Sequence, residues 1–263
     1  MKLDVHKINA FTDNLSGGNP ACVIQLKEWL SDVQLLKIAK DNAVAETAFF
    51  IINEDDIFLR WFTPDIEMDL CGHATLATAH CLFSILNYPL ETITFKTLSG
   101  DLIVFCNEGM YYLDFPSRMP AEAKLPDIIK NSINILPRKV YKSRDFLLCY
   151  ASQKDIENIT IDKQVFDQIN LDPGGVIVTA PGNDCDFVSR FFTPQATFLE
   201  DPVTGSAHCS LIPFWSSRLG KRTMQAKQIS ERGGMLTCEL KNERVCIGGK
   251  AKTVATREIW IDE

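Results

Sequence analysis

Two stretches of this 263-residue chain carry nearly the same five-residue motif, 130 positions apart. Residues 60–64 read RWFTP and residues 190–194 read RFFTP. An uncharged segment that begins with glycine follows each motif, at residues 72–82 and 205–212. Because the offset is about half the chain length, the repeat predicts two halves of like architecture. Two such halves facing each other would form one cleft floored by two helix starts, and helix starts bind anions.

The bulk composition argues against several classes of function. A net charge of -7 and a pI of about 5.2 argue against a nucleic-acid binder and against attachment to an anionic membrane. The apolar runs are too short to span a membrane, and no secretory signal is apparent. The nine cysteines include no C-x-x-C pair, so neither a zinc site nor thioredoxin-type chemistry is indicated. We therefore expect a cytoplasmic protein with mostly buried free thiols.

Two uncharged segments predict a buried helix in each half. Residues 72–86 and 206–217 contain no charged side chain if their histidines are neutral. A helix on one face of a sheet would show a polar stripe to water, so we predict that a curled sheet wraps around each helix. The alternative is an ordinary buried helix in a layered α/β protein. Pro213 lies inside the second segment and predicts a kink or break there.

A proline-rich segment marks the predicted domain boundary. Residues 116–126 contain three prolines, as is common in linkers. We assign residues 1–116 to an N-terminal lobe and residues 117–263 to a C-terminal lobe. The last strand, about 253–263, is a candidate to return to the first lobe.

Glu46 is the first candidate for chemistry. It lies in a predicted strand whose other residues are small or apolar. A carboxylate in such a place is costly unless it is paired or used, which suits Glu46 to proton transfer. The alternative is a glutamate at the edge of a strand, pointing to water.

The two predicted helix starts are candidates for holding a carboxylate. Gly72 and Gly205 open segments of small residues, which let ligand atoms approach free backbone N–H groups. Each helix start carries about half a positive charge. The alternative is that glycine only permits a tight turn into the helix.

Four further side chains lie near these starts in the sequence, namely Cys71, His73, His80 and Asp201. Asp201 is either a cap for the second helix or an acid/base partner. The helix dipole predicts a neutral His73. A metal site of His73 and His80 would lack carboxylate or thiolate support, so no metal is expected. Cys71 is either a thiolate of low pKa or a small buried residue.

Four motifs in order resemble those of the PhzF-like phenazine-biosynthesis isomerase family, and the resemblance covers the chain from end to end. They read GNP at 18–20, AETA at 45–48, DLCGHAT at 69–75 and EDPVTGSA at 200–207. The resemblance, shared with diaminopimelate epimerase and proline racemase, implies an α+β fold. It implies two pseudo-symmetric lobes, each a barrel-like, mostly antiparallel sheet around a central helix, with the active site between them. It also implies a homodimer, no cofactor and no metal.

The same resemblance implies roles for particular residues. Glu46 would transfer the proton, and His73 and Asp201 would complete the catalytic set. The residues implied in substrate binding are Asn19, Gly72, His73, Gly205 and Ser206.

These observations lead to three hypotheses. The first is a cofactor-independent isomerase that moves a proton on a small carboxylic acid, with no nucleic-acid or membrane partner. The second is an epimerase or racemase that uses Cys71. The related epimerases use one cysteine from each half, however, and residues 201–205 read DPVTG where the second would be needed. The third is a protein that binds small carboxylates without turnover.

Overall fold

The structure is a computed structural model that describes residues 1–54, 56–171 and 174–261. The chain divides into two compact units, Met1–Phe115 with Ile247–Glu263, and Pro116–Cys246. The sequence-based boundary lay between residues 116 and 117. The chain returns to the first unit at Ile247, earlier than the expected position of about 253. The last strand ends at Trp260, and residues 262–263 of the expected strand lie outside the described residues.

The described secondary structure contains more strand than helix. The helices are α1 (Asp32–Asn42), α2 (Gly72–His80), α3 (Asp127–Ser132), α4 (Gln153–Glu157), α5 (Lys163–Phe166) and α6 (His208–Leu219), and a π-helical turn (Cys81–Ile85) follows α2. The strands are β1 (Lys2–Ala10), β2 (Asn19–Leu26), β3 (Glu46–Asn53), β4 (Asp56–Phe62), β5 (Glu67–Met68), β6 (Thr92–Thr97), β7 (Gly100–Asn107), β8 (Met110–Pro116), β9 (Ala121–Glu122), β10 (Lys139–Lys142), β11 (Phe146–Cys149), β12 (Val176–Pro181), β13 (Phe187–Phe192), β14 (Glu200–Asp201), β15 (Thr223–Gln228), β16 (Gly234–Lys241), β17 (Arg244–Gly249) and β18 (Ala251–Trp260).

The two units repeat one order of strand pairing. In the first, β2 and β3 are parallel, β3 and β4 antiparallel, β4 and β6 parallel, and β6 and β7 antiparallel. In the second, the same order runs through β11, β12, β13, β15 and β16. A two-residue strand, β5 or β14, precedes the central helix in each unit. The fold is therefore α+β, with mixed sheets and few helices.

Helix α2 is the centre of the first unit. All of its residues from Gly72 to Ala79 are buried, and it packs against β1, β2, β3 and β18. A segment without charged side chains loses no ionic hydration when strands cover it on several sides. This agrees with the prediction from residues 72–86, although the α-helix ends at His80 and the π-helical turn continues it.

Helix α6 holds the equivalent place in the second unit. Its residues from His208 to Ser216 are buried, and it packs against β15 and β16. Helix α6 runs through Pro213, so of the predicted kink or break, the break is wrong. Proline has no N–H for the carbonyl of Cys209, four residues earlier. That carbonyl instead accepts a hydrogen bond of 2.8 Å from the backbone N–H of Arg118.

The repeated sequence motif forms the same ion pair in each unit. Arg60 makes two hydrogen bonds of 2.7 and 2.6 Å with Glu67, which join β4 to β5. Arg190 makes two of 2.7 and 2.8 Å with Glu200, which join β13 to β14. Each ion pair thus fixes the position of the segment that precedes the central helix of its unit.

Within the residues that the structure describes, no helix has the length and apolar character needed to cross a membrane.

Candidate active site

Glu46 lies where the buried part of β3 begins. It is the first residue of the strand, and Ala21 of β2 stands opposite it in parallel register. Its side chain is only 14% exposed. The interpretation of Glu46 as an edge residue that points to water is therefore wrong.

His73 contacts both Glu46 and Cys71. Its Nε2 lies 3.1 Å from Oε2 of Glu46, and its Nδ1 lies 3.5 Å from Sγ of Cys71. Among the described residues, neither Nε2 nor this Oε2 has a partner with good hydrogen-bond geometry, so the first contact is an ion contact. The His73 side chain is only 3% exposed. A carboxylate, an imidazole and a thiol thus meet in a buried place.

The protonation of His73 follows from these neighbours. Burial alone lowers its pKa, but Cys71 and Glu46 together raise the pKa of His73 well above its ordinary value. Burial and the charge of Glu46 raise the pKa of Cys71, so this thiol is neutral near pH 7. We therefore attribute the raised pKa of His73 to Glu46. The prediction of a neutral His73 is therefore wrong, and of the two alternatives for Cys71 the small buried residue is the one that burial and the raised pKa support.

The first turn of α2 carries N–H groups that lie before the helical hydrogen-bond ladder. The first helical bond runs from the Thr75 N–H to the Cys71 carbonyl, at 3.2 Å. Cys71, the N-cap, makes no capping hydrogen bond with its side chain. The N–H groups of Gly72, His73 and Ala74 thus form the positive end of a nine-residue helix, beside the Glu46–His73 pair.

The cluster also has the donor atoms of a metal site. Glu46, Cys71 and His73 each offer one ligand atom, and these three atoms lie within 4.8 Å of one another. His80, which the sequence analysis rejected as a metal ligand with His73, faces Tyr111 and Thr253, with 2.9 Å from a ring nitrogen to each hydroxyl.

The start of α6 has a different environment. The Thr204 N–H donates to Oε1 of Gln228 at 2.8 Å, and the Thr204 hydroxyl donates to Asp201 at 2.6 Å. Nδ1 of His208 lies 2.8 Å from the Thr204 carbonyl, and burial lowers the pKa of His208 to about 4. His208 is therefore neutral and donates to that carbonyl.

The other predicted site residues are distributed over both units. In the first, Asn19 begins β2 and is fully buried, two residues before the neighbour of Glu46. In the second, Asp201 ends β14, and Gly205 and Ser206 form the turn ahead of α6. The carbonyls of that turn accept the first helical N–H groups, so α6 begins at His208, later than the predicted Gly205.

Sequence reasoning missed Gln228. Its side-chain amide also donates to the Asp201 carbonyl at 2.7 Å, so one residue of β15 supports the whole segment ahead of α6. No local pattern identifies it, because its partners are 24 and 27 positions away. The contact of Cys71 with His73 did have a local indication, namely a thiol two residues before a histidine at a helix start.

Known proteins resemble this chain over nearly its whole length. A family model described as phenazine biosynthesis-like protein (PhzC-PhzF) matches residues 8–257. A Pseudomonas aeruginosa protein named an uncharacterized isomerase is 43% identical, over 98% of this chain and 99% of its own. The crystal structure of a PhzF-family phenazine biosynthesis protein from Enterococcus faecalis is 42% identical. It matches with a TM-score of 0.93, over 99% of this chain and 100% of its own.

A more distant structure shares the fold alone. It is a probable proline racemase from Agrobacterium radiobacter K84, which is 10% identical. It matches with a TM-score of 0.67 over 99% of this chain and 93% of its own.

Proposed function

This chain belongs to the phenazine biosynthesis-like (PhzC-PhzF) family and is an isomerase, and we propose that it moves a proton between two positions of a small carboxylic acid without a cofactor. The observation that carries this proposal is the buried contact of Glu46 with His73 at the start of α2. This contact places a proton acceptor, Glu46, beside the first-turn N–H groups of α2, which can bind a negative charge.

Glu46 is the group that takes the proton from carbon and returns it at another carbon. The carboxylate must stay oriented while it does so, and the 3.1 Å contact with the positively charged ring of His73 holds it in place. The ring is held in turn by Sγ of Cys71 at its other nitrogen. His73 is thus a positioning partner that also offsets the charge of Glu46.

The first-turn N–H groups of Gly72, His73 and Ala74 hold the substrate carboxylate and the negative charge that develops when the proton leaves. One positioned acid/base group contributes roughly 10²–10⁴ in rate. Enzymes lower barriers by about 8–23 kcal/mol, so Glu46 alone is insufficient. Oriented N–H groups in a water-poor place supply much of the remainder.

Several parts of the proposal rest on sequence alone. Asp201, Gly205 and Ser206 stay predicted contributors to the reaction. The homodimer also stays a prediction. The repeated order of strand pairing supports our proposal that each unit is a pseudo-symmetric, barrel-like sheet around its helix.

The epimerase alternative requires a reactive thiolate. Cys71 is only 5% exposed, and burial raises the pKa of its thiol. In the segment ahead of α6, the residue before Gly205 is Thr204 and not a cysteine. Both observations disfavour a mechanism with two thiols.

The test begins with a thermal-shift screen of small carboxylic acids, because the substrate class is defined only by its carboxylate. Each acid that binds is then incubated in D₂O with the wild type or with Glu46→Gln, and deuterium on carbon is measured by mass spectrometry. We expect exchange to fall by roughly 10²–10⁴ in Glu46→Gln.

Glu239→Gln is the matched control, because the side chain of this strand glutamate is 43% exposed and forms an ion pair with the exposed Lys241. It should exchange like the wild type. Equal exchange in Glu46→Gln and the wild type would remove Glu46 from the mechanism. Binding without exchange in the wild type would favour a protein that binds carboxylates without turnover.

A further inference from the structure

The cluster of Glu46, Cys71 and His73 contains more ligand atoms than the proton transfer uses. A carboxylate oxygen, a thiol sulfur and a ring nitrogen lie within 4.8 Å of one another. Ligands of these three kinds together are typical of zinc and rare for magnesium or calcium, which prefer oxygen. We propose that these residues bind a thiophilic divalent cation of the Zn²⁺ class, and that the bound ion blocks the isomerase.

The distances come close to those of a coordination sphere. Bonds of about 2.0–2.3 Å from a tetrahedral zinc place neighbouring ligand atoms about 3.3–3.6 Å apart. The observed contacts are 3.5 Å from Sγ of Cys71 to Nδ1 of His73 and 3.1 Å from Nε2 to Glu46. Because these two contacts use opposite ring nitrogens, they cannot both be edges of one coordination sphere, and capture of one ion requires Glu46 or the ring to move.

A second observation concerns the hydrogen bonds of two of these atoms, which lie 3.1 Å from each other. Among the described residues, Oε2 of Glu46 and Nε2 of His73 are buried side-chain atoms with no well-directed hydrogen bond. Buried polar atoms normally have such partners, and an ion is one way to satisfy them. The His73 side chain is 3% exposed, so water reaches its ring poorly.

Charge is balanced when a divalent ion binds. The described residues give Glu46 one ion-pair partner, which is His73. When the ion binds, the thiol proton of Cys71 and one ring proton of His73 pass to solvent. The thiolate and the Glu46 carboxylate then balance the two positive charges.

Inhibition follows from the proposed function and depends on it. A Glu46 carboxylate bound to an ion cannot take a proton from substrate carbon, and a His73 bound to the same ion cannot orient that carboxylate. Binding of the ion does not depend on the proposed reaction. The two ideas can therefore fail separately.

The test uses Co²⁺ as a spectroscopic substitute for Zn²⁺ in the reduced, metal-free protein. Coordination by the thiolate gives a near-ultraviolet charge-transfer band, which Zn²⁺ should remove and Mg²⁺ should not. Cys71→Ser should lack the band, and its affinity for Zn²⁺ should fall more than ~100-fold, since even partners outside the coordination sphere cost 10–100-fold. Cys81→Ser, which removes another buried thiol just after α2, should keep the band.

A band that persists in Cys71→Ser, or its absence in the wild type, would overturn the metal site. If Cys71→Ser does not fold, Glu46→Gln gives the same test, because it removes one ligand at nearly equal volume and should weaken Zn²⁺ binding at least ~10-fold. Absence of the band with exchange that depends on Glu46 would leave the isomerase standing. A band with exchange independent of Glu46 would leave the metal site and remove the proposed reaction.

Discussion

The central helices of the two units begin with similar small residues, but their surroundings differ. The start of α2 adjoins a carboxylate, an imidazole and a thiol, of which two atoms lack good hydrogen-bond geometry. The start of α6 is held by hydrogen bonds among Thr204, Gln228, Asp201 and the neutral His208. The duplicated strand pairing is thus shared, whereas the contact between a carboxylate and an imidazole occurs at the first helix start. At the start of α6 the neutral His208 also has a buried ring nitrogen, Nε2, without a directed partner among the described residues.

One pair of equivalent positions makes this difference concrete. Phe49 stands opposite Arg60 in the first unit, and Val178 stands opposite Arg190 in the second. The same register makes Gly175 the equivalent of Glu46. The Gly175 N–H donates to the Asp145 carboxylate at 2.9 Å, so the second unit has a backbone hydrogen bond where the first has the Glu46 carboxylate in contact with His73.

The largest expected effect comes from placing a side chain at this second position. In Gly175→Ala, the new Cβ would lie 2.5 Å from Cζ of Phe191 and 2.7 Å from the Phe192 carbonyl oxygen. A strand carbonyl cannot move away easily, so we expect the free energy of unfolding to fall by about 3 kcal/mol or more. Chemical denaturation measures it.

Glu239→Gln, at a partly exposed strand position, is the control and should lie within about 0.5 kcal/mol of the wild type. If Gly175→Ala were as stable as this control, the second position would have room for a side chain. The absence of a reactive side chain at residue 175 would then need another explanation.

A somewhat smaller effect is expected from the neutral His208. Burial lowers its pKa to about 4, whereas an unfolded histidine titrates near 6.5. Between these values the unfolded chain binds the extra proton, so stability is full above about pH 6.5 and is lost as the pH falls towards 4. The loss should reach about 3 kcal/mol.

Urea unfolding of the wild type and of His208→Gln from pH 7 to pH 4 measures this contribution. His80 has a similarly lowered pKa of about 4, so only the difference between the two proteins isolates His208. Identical pH dependence in both would show that His208 is not the group responsible.

The sequence predicted the buried helices and the likeness of the two units well, because the information for these features lies in short segments of the chain. The absence of charge in residues 72–86 and 206–217 predicted two buried helices, and residues 72–79 and 208–216 are buried. The repeated RWFTP and RFFTP motifs predicted like halves, and each arginine forms the same ion pair in its unit.

The chemistry of the site was harder to predict, because it depends on contacts between distant residues. The helix dipole argued for a neutral His73, but the packing of α2 against β3 brings Glu46 next to His73 and reverses the outcome. The effect of Pro213 was misjudged for the same reason, since Arg118 from outside the helix uses the carbonyl that proline leaves free.

A substitution of Gln228 tests whether the start of α6 depends on its hydrogen bonds. Gln228→Leu would leave the buried Thr204 N–H and the Asp201 carbonyl without this partner. Unsatisfied buried groups cost about 1–3 kcal/mol, so we expect a loss of about 2 kcal/mol.

Gln225→Leu is the matched control on the same strand, because its exposed side chain makes only weak hydrogen bonds to Thr237. It should change stability by less than about 0.5 kcal/mol. Equal stability of the two variants in urea would mean that the second helix start does not depend on its hydrogen bonds.

The smallest effects concern the arginine–glutamate ion pair that occurs in both units. Lysine cannot make the two parallel hydrogen bonds of arginine, so Arg60→Lys and Arg190→Lys each break one pair. Arg190 also donates to the carbonyls of Ile156 and Ile159, whereas the additional partner of Arg60 is the exposed Asp32.

We therefore expect losses of about 1.5 kcal/mol for Arg190→Lys and about 1 kcal/mol for Arg60→Lys in chemical denaturation. A larger loss at Arg60 would mean that the first helix start depends more on its ion pair than the second. The buried groups of the first unit that lack directed partners would then lower the stability of that unit, and its ion pair would offset the loss.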